Sequence, residues 1–319
     1  MAGARDVEGQ VAALDALRGQ IAEVTEIRLR KALKDRNNFL VAKAARMAGE
    51  LRLTSLTGEL AAAFHRHMPE SGNDPAKTDP QCWAKNDIAK TLATFEFQEY
   101  EMFLAGMRHH QLEPVWGGRS DTAGALRGTC ALALVQCREV NSNRLLGWLT
   151  ELFADEDRTV QLEAARAVEQ VGSDSAMLLL KLRAELASGS ADVLGACYGG
   201  VLRLEGPAAI PWAAKFLAAA DDAAAEAALA IAETRTAEAF DVLKAAFTSG
   251  AGAGEPWFRG ALLSAIALTR QPAAVEWLLE RIEQGGRNGV EAHEAVCRSG
   301  PSNAVLERLT KLGKPCAAG

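Results

Sequence analysis

The sequence predicts an all-α protein, a right-handed α-solenoid (superhelix) of about eight stacked helix pairs. Three observations point there. Apolar helical segments alternate with short breaks at a spacing of roughly 30 to 40 residues, the period of helix-pair repeats. The first segment of each pair carries small residues where a neighbouring helix must approach closely. Strand signals are scarce in a 319-residue chain that is 49% hydrophobic and 24% charged with only 10 prolines, so one elongated helical core is expected in preference to two globular domains.

The elements follow in order. Residues 1–36, with Asp6, Glu8 and Asp15 set in an amphipathic pattern, are expected to form an N-terminal helix or cap. Repeats are expected over 37–290, and a C-terminal capping repeat and tail over 291–319. Four first helices share a layout of acidic residue, apolar periodicity and small residues: DRNNFLVAKAARMAGEL (35–51), DRTVQLEAARAVEQVG (157–172), ADVLGACYGGVLRL (191–204) and DDAAAEAALAIAETR (221–235). The second helices carry sets spaced by three and four, which share one helix face. These sets are Leu56, Leu60 and Phe64; Phe97, Tyr100, Phe103, Leu104 and Met107; and Leu145, Leu146, Leu149 and Phe153. They continue with Leu178, Leu179, Leu182 and Leu186; Ile210, Trp212 and Phe216; Phe240, Leu243 and Phe247; and Val275, Leu278, Leu279 and Ile282. This register buries Leu149, Phe153, Val168, Leu179, Leu182 and Phe216, makes more than about 60% of the chain helical and leaves no place for a sheet.

The acidic start, the Ala-Ala pair and the pair length resemble HEAT repeats, especially the bacterial type named after phycobilisome lyases, over nearly the whole chain from about Asn37 onward. The runs TDPQCWAKNDIAKTL and HHQLEPVWGG also resemble a group of bacterial HEAT-repeat proteins with no assigned activity. The resemblance implies a helical superhelix of the armadillo-like kind. It implies three roles for such a fold: an interaction scaffold, a bilin-handling lyase subunit, or an alkylpurine DNA glycosylase, and the fold alone does not choose among them.

Composition narrows the classes. The longest apolar runs, such as ALALVQC and AMLLLKL, are shorter than the roughly 18 to 20 residues that cross a bilayer, and the N-terminus lacks a charged-then-apolar leader, so a cytoplasmic chain without membrane partners is expected. Six cysteines (Cys82, Cys130, Cys137, Cys197, Cys297 and Cys316) are scattered without a CxxC, which suggests neither a zinc site nor a disulfide framework. Cys82, beside Trp83 and Lys85, is the one thiol whose pKa a cation is placed to lower. The formal charge of −6 resides in the middle of the chain, since residues 151–250 carry 16 acidic against 8 basic side chains. That balance disfavours nucleic acid. The basic run Arg28, Arg30, Lys31, Lys34 and Arg36, continued by Lys43 and Arg46, reads as a solvated face, with a polyanion or partner contact as the alternative.

Two segments break the short-loop pattern. Residues 68–83 (MPESGNDPAKTDPQCW) insert three prolines, and residues 108–121 (RHHQLEPVWGGRSD) combine histidine, tryptophan, glycine and arginine. Both flank one helix pair, so they are expected to lie near each other. They supply the candidate binding residues Asp79, Trp83, Lys85, His109, Gln111, Glu113, Trp116, Arg119 and Asp121, along with His110. Three readings apply. Trp83 and Trp116 plug gaps in helix stacking while Asp121 caps the next helix. Alternatively, Trp116 anchors a peptide or protein while Arg119 pairs with a carboxylate. In the third, His109 and Glu113, four apart, act as acid and base on a helical turn, although Pro114 disfavours helix there.

Other patterns lead away from chemistry. GAGAGEPWFRG (250–260) lacks a preceding strand and a GKS/T element, so it reads as a turn with Pro256 opening a helix. His65 and His67 are two apart and point to different faces. The acidic groups Asp155, Glu156, Asp157 and Asp221, Asp222 fall at helix starts, where the dipole favours them. The expected function is a non-enzymatic scaffold for a protein or peptide, without cofactor or metal; the alternatives are tetrapyrrole handling and base excision.

Overall fold

A computed structural model describes residues 2–17, 22–68, 74–187, 189–250 and 255–316. The chain is all-α, 76% helical, and forms two compact units, Met1–Val171 and Gly172–Gly319. Each is described by itself. No described helix is long and apolar enough to cross a membrane.

The first unit contains α1 (Ala2–Asp15), α2 (Ala22–Ala32), α3 (Asn38–Glu50), α4 (Thr57–His67), the single turn α5 (Pro75–Thr78), α6 (Trp83–Thr94) and α7 (Tyr100–Met107). It continues through β1 (Leu112–Val115), β2 (Gly118–Asp121), α8 (Gly124–Val135), α9 (Ser142–Phe153) and α10 (Arg158–Val171). Helices α3, α6, α8 and α10 pack side by side as one layer, and α4, α7 and α9 each pack against the next member of that layer. This neighbour-on-neighbour packing is that of helical repeats. Small residues permit it. At Gly106 of α7, an added Cβ would stand 2.5 Å from Cys130 Sγ and 3.2 Å from Phe64.

The second unit contains α11 (Asp174–Glu185), α12 (Ala191–Glu205), α13 (Ile210–Ala214), α14 (Asp222–Glu233), α15 (Ala237–Thr248), α16 (Pro256–Leu268), α17 (Pro272–Gln284), α18 (Gly286–Arg298) and α19 (Asn303–Lys311). Here α12, α14, α16 and α18 form the stacked layer. Helix α13 is only five residues between 3-10 turns at Gly206–Ala209 and Lys215–Ala219, with Pro207 and Pro211 at the starts of the first turn and of α13. Helix starts are capped from the side chain: Asn37, Asn141, Ser173, Asp221 and Thr236 each accept a backbone N–H of the following turn. Asp35 does not cap α3; its carboxylate accepts Asn37 N–H at 2.8 Å, and Asn37 is the cap.

The structure corrects four expectations. Leu182 is exposed, as are Leu178 and Leu186, because α11 turns Ala176, Leu180, Arg183 and Ala184 inward. Five adjacent apolar residues in AMLLLKL left the buried face ambiguous. Leu149 and Val168 are buried, whereas Phe153, Leu179 and Phe216 are half-buried. A two-stranded hairpin occupies part of the second insert, with no sheet layer beyond it among the described residues. Cys297 and Cys316 form a disulfide with Cα atoms 5.6 Å apart, because the tail after α19 folds back onto α18. Finally, burial pushes the Cys82 thiol up to about 11, outweighing the opposing influence of Lys85.

Candidate functional site

The two inserts meet. Residues 69–73 of the first and 251–254 of the glycine-rich turn lie outside the described residues, but Pro256 does open α16. The chain enters α6 through Gln81 and Cys82, both with left-handed backbones (φ +58° and +54°). Such conformations cost non-glycine residues roughly 1 to 2 kcal/mol each, so they require support. Asp79 supplies it: its carboxylate, fully buried, accepts Ala84 N–H at 3.0 Å, Lys85 N–H at 2.9 Å and the Asn38 side-chain amide at 2.8 Å. It thereby caps α6 and ties it to α3. Glu113 of β1 adds the second support by accepting Gln81 N–H at 2.6 Å.

Gln111 joins the inserts. Its amide donates to the Asp79 carbonyl at 2.8 Å and to Glu113 at 2.6 Å, while its carbonyl accepts from the Lys85 ammonium at 2.9 Å. His109 Nε2 lies 3.1 Å from the same Gln111 oxygen. Lys85 is wholly buried, with its Nζ 3.5 Å from the Asp79 carboxylate. His109 and Glu113 therefore do not face each other as an acid–base pair. Pro114 keeps Glu113 in a strand, and both residues bond Gln111. Burial holds the His109 imidazole below its usual pKa, favouring the neutral ring. Burial would raise the Glu113 pKa, but hydrogen bonds from Thr122, Gln111 and Gln81 together lower it.

A second buried cluster anchors the other end of the hairpin. Arg127 of α8, 1% exposed, donates from two nitrogens to Asp155 at 2.7 and 3.0 Å, to Asp121 at 2.7 Å and to the His109 carbonyl at 3.1 Å. Asp121 also accepts Gln111 N–H and Ala123 N–H and lies 2.9 Å from His110 Nδ1. Burial opposes its ionisation, yet these hydrogen bonds, with Arg127 among them, hold its carboxyl well below the usual range. Asp121 thus serves the turn leading into α8, close to the capping role expected of it. Arg127 and Asp155 were not among the sequence candidates. Arg127 had a signal, being a lone cation inside the apolar run ALRGTCALALV. Asp155 was read only as a helix-start carboxylate.

The remaining candidates face outward. Strands β1 and β2 pair Leu112 with Asp121 through Val115 with Gly118, leaving Trp116 and Gly117 as the turn, with φ +90° at Gly117. Trp116 is fully exposed at 104% of its reference area, and Leu112 and Val115 are about half exposed. Arg119 donates across the hairpin to the Leu112 carbonyl at 2.8 Å. Trp83 is 45% exposed and meets Phe39 edge-on with ring centroids 5.6 Å apart. Trp116 plugs no gap in the helix stack, whereas Trp83 covers part of its ring against α3. Within the basic run, Arg30 pairs with Glu26 and Glu59, Lys43 with Asp15 and Arg46 with Asp87. A cavity of about 530 Å³ lined by Leu14, Ile27, Arg28 and Leu40 shares no residue with the hairpin.

No family model matches the chain, and no curated protein matches it. Among solved structures the chain is similar to human deoxyhypusine hydroxylase in complex with glycerol, at 16% identity and a TM-score of 0.30, over 92% of this chain and 90% of that one. At that score the likeness carries no functional weight. The helix-pair packing is compatible with a HEAT-like repeat protein.

Proposed function

We propose that the chain is a non-enzymatic binding protein whose 112–121 hairpin is the recognition element for a protein or peptide. The observation that carries this reading is Trp116, a fully exposed indole at the tip of a hairpin whose base is pinned by buried charges. Exposed tryptophan gains the most from being covered by a partner, and a rigid support limits the entropy lost on binding. Leu112 and Val115 extend the apolar surface on both faces of the ribbon. Arg119 retains donors beyond the one given to Leu112, enough to meet a partner carboxylate. The phycobilisome-lyase subclass, with tetrapyrrole handling, gains no supporting observation. Base excision gains none either, and the charge balance, with 16 acidic against 8 basic side chains over residues 151–250, is unfavourable to nucleic acid.

The test places a photo-crosslinking amino acid at position 116 and, as a control, at exposed position 182. Partners captured only from position 116 are then titrated against wild type and Trp116→Ala. Binding should weaken at least about tenfold, equivalent to roughly 1.4 kcal/mol, with an unchanged melting curve. Equal binding by both chains would place recognition elsewhere, and a lowered melting temperature would make Trp116 a structural residue.

A further inference from the structure

A histidine and two cysteines come together at the C-terminal end of the second unit, among residues that take no part in the hairpin region. His293 and Cys297 stand four apart on α18, so one helix turn presents both side chains on the same face. His293 Nε2 lies 3.5 Å from Cys297 Sγ. The tail brings the third group. After Gly313, Lys314 N–H donates to the Leu309 carbonyl at 2.9 Å, and the Lys314 ammonium donates to the Ile282 carbonyl. The Lys314 carbonyl lies 2.9 Å from His293 Nε2, and Cys316 closes the disulfide with Cys297. One ligand atom from each of His293, Cys297 and Cys316 lies within 4.8 Å of the others, and all three residues are half-buried.

The nitrogen–sulfur spacing matches one edge of a metal tetrahedron. Zinc–nitrogen bonds of about 2.0 to 2.1 Å and zinc–sulfur bonds of about 2.3 Å, at tetrahedral angles, place the two ligand atoms roughly 3.5 to 3.6 Å apart. One of the three ligand–ligand edges is therefore already at cation spacing while the sulfurs are bonded to each other. The site also requires a sulfur–sulfur edge of about 3.7 Å and a His293–Cys316 edge of about 3.5 to 3.6 Å, the latter two ligand atoms now lying within 4.8 Å of each other. The required opening, less than about 2 Å, falls on the non-helical tail that carries Cys316.

We propose that, in the dithiol state of the chain, His293, Cys297 and Cys316 are the protein ligands of a thiophilic divalent cation of the Zn²⁺ class, the disulfide being the metal-free oxidised state of the same site. Interconversion balances with a dithiol reductant. Two electrons and two protons convert the S–S bond to two thiols as the reductant closes to its own disulfide. The cation then displaces both thiol protons, and the imidazole proton, which Nε2 donates to the Lys314 carbonyl in the oxidised state, shifts to Nδ1 as the tail moves away, leaving Nε2 to ligate. Two thiolates and a neutral imidazole balance a divalent charge and leave a fourth position for water. Thiolate and imidazole select Zn²⁺ over Mg²⁺ or Ca²⁺, which prefer oxygen.

Cobalt(II) serves as the probe. The full chain is reduced, freed of reductant under nitrogen and titrated with Co²⁺. Reduced wild type should take up one ion, with a thiolate-to-cobalt charge-transfer band and tetrahedral visible bands that Zn²⁺ abolishes. Oxidised chain should show neither band until reduced. Cys316→Ser and His293→Ala should each weaken uptake at least about tenfold, while Cys197→Ala, at a buried thiol in α12, should not change it. Cys316 lies beyond the last helix, so its variant separates loss of a ligand from loss of fold, with far-ultraviolet circular dichroism as the check. Absence of the thiolate band in reduced wild type would overturn the proposal, as would equal binding by Cys316→Ser.

Discussion

Replacing Arg127 with methionine should destabilise the first unit more than any surface change, and its pH dependence should identify the cause. Methionine keeps most of the apolar stem but removes the guanidinium, which makes two hydrogen bonds to Asp155, one to Asp121 and one to the His109 carbonyl. The two carboxylates are not equally hurt. The Asp155 side chain is 6% exposed and that of Asp121 22%, so water replaces part of what Asp121 loses and little of what Asp155 loses. Removing one partner of a buried pair typically costs about 3 to 5 kcal/mol, and Arg127→Met should fall in that range at pH 7. Arg127→Met with Asp155→Asn should recover at least about 1 kcal/mol, because the uncompensated charge is gone. The folded-state pKa of Asp121 is lowered, so its contribution is present above the unfolded value near 3.9 and is lost as the pH falls toward the folded value. Without Arg127 that lowering is smaller, so the gap between wild type and variant should hold constant from pH 7 to about pH 4 and narrow only below about 3.9, as the pH falls toward the lowered folded value. Urea unfolding followed by circular dichroism, with hydrogen exchange in α8 and α10 to assign the transition, measures both effects. A loss below about 1 kcal/mol, or a gap that does not change with pH, would refute the role given to this cluster.

Leu180→Ala should cost about 2 to 5 kcal/mol as a core truncation, whereas Leu182→Ala should stay within about 0.5 kcal/mol, because Leu180 is buried and Leu182 is 56% exposed; denaturation midpoints of the two variants decide it. Gly106→Ala forces a methyl onto Cys130 Sγ and Phe64, and the overpacking should cost about 1 to 3 kcal/mol, which Cys130→Ala in the same chain should partly restore in melting experiments. Glu113→Ala leaves Gln81 N–H, the Gln111 amide and the Thr122 hydroxyl without their shared acceptor. The loss of roughly 1 kcal/mol or more should raise cleavage within residues 112–121 about fivefold in limited proteolysis, with helical content unchanged.

The amphipathic sets were enough to determine the helices. Leu56, Leu60 and Phe64, or Phe240, Leu243 and Phe247, each define one face on their own, and the structure buries them. Periodicity failed where it was degenerate: in AMLLLKL any of several faces is apolar, and only packing against α12 selects Leu180 over Leu182. The composition of the inserts marked the unusual region but could not sort its residues. Asp79, Lys85, His109 and Gln111 are buried and hold one another, while Trp116 is left in solvent. That division depends on long-range hydrogen bonds, such as Gln111 to Asp79 and Glu113 to Gln81, which span 32 residues each. The Cys297–Cys316 pairing belongs to the same class, since 19 residues and a helix separate the thiols and no local spacing signals their meeting. Helical faces follow from local periodicity, which a chain carries in its order of residues. Buried polar partners and cross-links follow from which segments come back into contact, and that is settled only when the helices stack.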